Sequence, residues 1–190
     1  SLDFLVAELQ DLPVRQRSLQ AVFDGTWKRL SKIEQNVFKR ASVFHGGFTR
    51  EAVQAVAQAT LPILTSLSHK SLVQRNADGR YEVHELLRQF AHKALAQEES
   101  EVLDSHSIYY CAFLHERTAE LKGARQQEAL AEIEADSENV RAAWQHSAQQ
   151  ANISPLSWAI ECLGLFYLWK SRPYEGEEMF QSAIDLLELT

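Results

Sequence analysis

A chain of 190 residues, 45% hydrophobic and 24% charged with only seven Gly and four Pro, has the composition of a helix-rich globular protein with one sizeable core or two small domains. Its longest apolar run, Trp158 to Trp169, is twelve residues and is interrupted by Glu161, which excludes a span of hydrocarbon roughly 30 Å thick. The net charge of −7 is uneven: residues 1–97 carry thirteen Lys and Arg against nine Asp and Glu, a balance of +4, and residues 98–190 carry six against seventeen, a balance of −11.

The N-terminal SLDFLVAELQDLP has acids and no basic stretch, so it is read as an amphipathic segment and not as a secretion signal. Leu19, Val22, Phe23, Trp27 and Leu30 fall at helical spacing, which predicts a helix over Ser18 to Leu30. Ser31-Lys32-Ile33-Glu34 has the capping-box pattern and starts a second helix, expected to run to Val43 and to be stopped by Gly46-Gly47, with Phe44 and Phe48 as core anchors and His45 exposed. Thr49 caps a short helix carrying Val53 and Val56, and another helix follows from Pro62 to about His69. Leu72 to Arg75 and Arg80 to Val83 are strand-like, with turn chemistry at Asn76-Ala77-Asp78-Gly79 between them. Leu86, Leu87, Phe90, Ala91 and Leu95 then resume helical periodicity to about Ala96. Helices, a hairpin and a further helix are the order of a winged helix.

The charge shift places a candidate domain boundary near Glu98-Glu99-Ser100-Glu101. Beyond it the pattern is helical throughout. Candidate helices are Val102 to Leu121, Gln126 to Ile133, Ser137 to Gln149, Pro155 to Trp169 and Glu175 to Leu189, with connections at Gly123, Asn152 and Pro173. Trp158 to Trp169 is apolar on nearly all faces, as expected of a helix covered on both sides in a solenoid, and Trp27, Trp144, Trp158 and Trp169 are all expected in the core. The division is a linker at 1–16, a winged-helix domain at 17–97 and a tetratricopeptide-like arm at 98–190. The expected class is mainly α.

Little catalytic chemistry is legible. None of the glycines opens a phosphate-cradling loop or a dinucleotide turn, and His84-Glu85 lacks a second histidine at position 88, which is Arg88. Cys111 and Cys162, the only cysteines, are expected as reduced thiols in a cytosolic protein. Cys111, His106 and His115 lie near one another in sequence, yet they sit in an aromatic helical stretch that reads as core, so no metal site is assigned. For DNA, the third helix of a winged helix offers only His69 and Lys70 as strong partners, and a balance of +4 is thin for an interface dominated by phosphates. The Glu175-Gly176-Glu177-Glu178 run reads as a solvated helix start that borders, with Tyr167, Trp169 and Tyr174, a candidate ligand groove.

LPVRQRSLQAVFDGTWKRLS, EQNVFKRASVFHGGFTREAVQAVA, LTSLSHKSLVQ and RYEVHELLRQFAHKAL together resemble the winged-helix region of bacterial STAND signal-transduction ATPases of the NB-ARC type, in the AfsR, MalT and LuxR-like groups. DSENVRAAW and RPYEGEEMFQSAI resemble the start of their tetratricopeptide-like sensor arm. The resemblance implies an upstream P-loop domain of the same protein that binds ATP or ADP, a winged helix folded over it, an arm that receives an inducer or a protein, and a non-catalytic, cofactor-free role for this region. It also implies a site. Val83-His84-Glu85 stands where the family has Met-His-Asp, whose histidine contacts the β-phosphate of ADP. Independently, a helix N-terminus favours an anion and an imidazole there adds a donor. The plain alternative is that His84 caps or packs. A DNA-binding winged helix with a helical dimerisation arm is the rival reading of the whole chain.

Overall fold

The computed structural model describes residues 23 and 25–188. The stretch before Phe23, including the start of the predicted first helix (residues 18–22) and the linker at 1–16, lies outside the described residues, as does the predicted end of the last helix at Leu189.

Helix α1, Lys32–Arg40, starts on the predicted capping box: Ser31 Oγ accepts from the Glu34 N–H at 3.2 Å and Glu34 Oε2 accepts from the Ser31 N–H at 2.7 Å. It stops earlier than expected, at Arg40, and tightens into a 3-10 turn over Ala41–Val43. Gly46-Gly47 therefore does not end the helix. The pair, at φ +71° and +101°, swings Phe48 into antiparallel bridging with Tyr81, where a Cβ on Gly47 would stand 3.2 Å from the Tyr81 carbonyl oxygen. Helix α2, Arg50–Ala57, is capped by Thr49, and α3, Leu61–His69, follows. Strands β1, Gln74–Arg75, and β2, Tyr81–Glu82, form one antiparallel hairpin. They are shorter than predicted because Leu72 and Val73 turn inward as core residues. Helix α4, Glu85–Lys93, also ends early, before Ala96 at φ +42° and a 3-10 turn over Ala96–Glu98.

The arm is α5, Glu99–Leu121, α6, Gln126–Ala135, α7, Ser137–Gln149, α8, Ile153–Trp169, and α9, Pro173–Glu188. Helix α5 packs on α7 and α8, and α9 on both α7 and α8, in antiparallel hairpins. Pro173, expected as a connector, opens α9, where a missing N–H costs nothing. One described helix did not follow its pattern: α8 buries Leu156, Ala159, Cys162, Leu163 and Phe166 but leaves Ile153, Trp158, Ile160, Leu168 and Trp169 exposed. Only one of its sides is covered, so Trp158 and Trp169 are not core. Among the described residues no helix is long and apolar enough to cross a membrane.

Ion pairs tie the acid-rich stretch at the candidate boundary to α1. Lys39 pairs with Glu98 at 2.8 Å and the buried Arg40 with Glu101 at 3.3 Å, and the cluster of buried apolar residues runs without a break from Phe23 to Ala183.

Gly176 lets α9 lie against α8. A Cβ there would stand 3.0 Å from Cβ and Cγ of Tyr167. Replacing Gly by Ala in a helix ordinarily gains about 1 kcal/mol, whereas overpacking a close contact costs about 1–3 kcal/mol. Gly176→Ala is therefore expected to lower stability by about 1 kcal/mol, and urea unfolding that instead shows a gain would mean that Tyr167 moves freely.

Candidate functional site

His84 occupies the corner where the hairpin becomes α4. It is the N-cap residue, and its Nδ1 accepts from the Leu86 N–H at 3.3 Å. The capping expectation thus holds in the geometry. That bond requires the neutral ring with its proton on Nε2, and His84 is exposed, so an N–H donor faces outward from the helix start. Val83 beside it is half-buried against the core. Glu85 accepts from Arg88 Nε at 2.8 Å and Nη2 at 2.9 Å, and from Gln89 Nε2 at 2.8 Å. The Arg88 guanidinium, first, and the Gln89 amide hold the Glu85 carboxyl down at about 2, against burial, which opposes them. Arg88 also donates to the Ser42 carbonyl at 3.0 Å, which ties α4 to the 3-10 turn after α1. The corner therefore carries an exposed donor and a carboxylate already neutralised by its neighbour.

At Arg80, just before the other end of the same strand, lies a second polar centre. Asp136, 3% exposed, accepts from Arg80 Nη1 at 3.0 Å and Nη2 at 2.7 Å, from the Tyr110 hydroxyl at 3.0 Å and from Asn139 Nδ2 at 3.0 Å. Asn139 Nδ2 also donates to the Gly47 carbonyl at 2.8 Å, and its Oδ1 accepts from the His45 N–H at 2.8 Å. His45, expected to be exposed, is half-buried here, and burial, followed by the nearby Arg88 charge, pushes its imidazole down. His106 stands 3.4 Å from Asn139 Oδ1 and edge-on to Phe44; burial pushes it down to about 4, so it is neutral at neutral pH. This cluster is what fastens the wing to the arm. Arg80 immediately precedes β2 and His84 lies two residues beyond its end, so the fastening and the corner are joined by a single short strand.

The third helix of the winged helix has little left for DNA. Lys70 is ion-paired with Glu34, which also accepts from Ser66, while His69 is exposed. The thiols and histidines of α5 do not converge either: Cys111 and His106 are buried and His115 is exposed. Among the described residues no cluster of three metal-ligating side chains occurs.

The chain is similar to mycobacterial HTH-type transcriptional regulators. It is 29% identical over 182 residues to proteins of Mycobacterium tuberculosis (strain ATCC 25618 / H37Rv) and Mycobacterium bovis (strain ATCC BAA-935 / AF2122/97), each named "Putative HTH-type transcriptional regulator". The match covers 90% of this chain and 20% of each relative, so the chain spans about a fifth of the length of the curated relatives it matches. No family model and no solved structure matches.

Arg80, Asp136 and Asn139 were not legible as site residues. The signal was present but misleading: Asp136 stands before Ser137 in the place of a helix cap, yet its side chain makes no capping bond and is taken by Arg80, Tyr110 and Asn139.

Proposed function

We propose that this chain is the coupling region of a signal-responsive transcriptional regulator of the STAND type, in which the winged helix rests on a nucleotide-binding domain through His84 and the arm senses a ligand or partner. The observation that carries the reading is the placement of His84 and Arg80 on either side of β2, one exposed and the other held by the arm. The similarity to transcriptional regulators supports the regulatory part. The residues present suit a phosphate: a helix N-terminus, an outward imidazole donor, and an adjacent carboxylate neutralised by Arg88. Adenine nucleotide, bound upstream, supplies the phosphate that His84 would hold; this region itself orients and reports. Arm displacement acts on Arg80, and β2 conveys it to the corner, which is a difference in affinity between two states.

His84→Asp keeps a side-chain acceptor at the N-cap, so α4 stays capped, but it sets a negative charge against the phosphate. In the intact protein it is expected to release ADP at least tenfold faster, the equivalent of about 1.5–3 kcal/mol for a hydrogen bond to a charged group, and to raise basal transcription. Unchanged ADP release with a folded variant removes the reading.

The rival, a DNA-binding winged helix, is favoured by the helix-turn-helix label of the relatives and by the α2–α3 pair itself. A salt-dependent duplex shift assay on this chain separates the two, since phosphate neutralisation gives affinity that falls steeply with salt.

A further inference from the structure

The arm carries a groove of about 390 Å³ between α7 and α9, on the flank of α9 that presents residues 175, 178, 179, 182, 183 and 186 at helical spacing. Its bed is apolar: Trp144 from α7, with Met179 and Leu186 from α9. The bed is also fixed. The Trp144 indole N–H donates to the Met179 carbonyl at 3.2 Å, the Tyr167 hydroxyl meets the Met179 sulfur at 3.1 Å, and Gly176 holds α9 against Tyr167. Its walls carry opposite charges. Arg141 stands on α7, and Glu175 and Glu178 on α9.

Among the described residues, Arg141 shares a hydrogen bond with Tyr167 but has no carboxylate within ion-pair distance, Glu178 has no cation, and Glu175 reaches only Arg172, at 3.8 Å. Opposite charges that line one groove without pairing with each other offer complementary walls to a ligand that carries both signs. A monoanion drawn to Arg141 would be repelled by two carboxylates, and a monocation drawn to those would meet the guanidinium. A ligand with both signs satisfies each wall, and an apolar body fills the bed. The volume accommodates a small metabolite, and the groove opens along α9 toward Glu177 and Asp185.

We infer that the groove binds a zwitterion with an apolar body, of the amino-acid or short-peptide class, with Arg141 taking its carboxylate and Glu175 and Glu178 its ammonium group. This deepens the proposed sensing role of the arm and rests on it for its consequence. Binding itself is a separate measurement that does not depend on nucleotide.

Calorimetric titration of this chain with L-leucine and with the dipeptide Leu-Leu tests it, with N-acetyl-leucine amide, which lacks both charges, as the control. At least one zwitterion is expected to bind, with the control at least tenfold weaker, and with Arg141→Gln and Glu178→Gln each weakening binding at least tenfold. Both positions are exposed, so circular dichroism of the variants is expected to be unchanged. Absence of binding by both zwitterions, binding of the control with equal affinity, or binding undiminished in the variants overturns the assignment. Binding that leaves ADP release from the intact protein unaltered would retain the site and reject the switch.

Discussion

Asp136→Asn is expected to cost about 3–5 kcal/mol of folding stability, the penalty for stranding one partner of a buried ion pair. The carboxylate takes four hydrogen bonds from three residues, and its side chain and that of Arg80 are 4% and 15% exposed. An amide in its place removes the charge that Arg80 needs and turns one acceptor into a donor. Tyr110 then loses strength in the bond of its fully buried hydroxyl, whose pKa burial already pushes far up. The other ties across the boundary are weaker: Glu101 is 73% exposed and Glu98 42% exposed, and such pairs contribute about 0–1 kcal/mol. The joint therefore depends on the Asp136 cluster. With a urea slope of about 2 kcal/mol per molar, the midpoint is expected to fall by about 2 M. In an Arg80→Ala, Asp136→Ala cycle the double variant is expected to lose at least about 1 kcal/mol less than the sum of the single losses. A loss under about 1 kcal/mol in Asp136→Asn would mean that apolar packing alone holds the arm to the wing.

Local signals were read correctly wherever neighbours in sequence decide the outcome. Ser31 with Glu34, Thr49 with Ala52, the Asn76–Gly79 turn and the full extent of Ser137–Gln149 are matters of three or four residues, and periodicity or capping reveals them. The readings that changed involve distant partners. Gly46-Gly47 looks like a helix stop until Tyr81 is known to pair with Phe48. Trp158 and Trp169 are apolar whether or not a neighbouring helix covers them, so sequence cannot decide their burial. His84 could be found because a corner between strand and helix has a local signature. Arg80 lies four residues earlier without one, because its partner is 56 residues away.

Glu34→Gln is expected to lower stability at neutral pH by about 2–3 kcal/mol, and the difference from the wild type is expected to vanish in acid. Glu34 is 8% exposed, and Lys70 first, then Ser66 and the Ser31 N–H, hold its carboxyl down from 4.5 to about 2. A carboxyl with a depressed pKa in the folded state contributes stability that is complete above about pH 4.5 and is lost as pH falls toward 2. The stability of the wild type should therefore decline over that window more steeply than that of the variant. Glu85 has a similarly low pKa but a side chain 58% exposed, so solvent screening leaves Glu85→Gln with a loss well under 1 kcal/mol. Equal losses in the two variants would contradict the burial argument. The same substitution bears on function, because it releases Lys70 from its clamp at the end of α3. If α3 read DNA, a freed Lys70 would add one phosphate contact, strengthening duplex binding and steepening its salt dependence by about one unit. On the coupling reading, neither the wild type nor Glu34→Gln binds duplex at physiological salt, and the effect of the variant is confined to stability and its pH dependence.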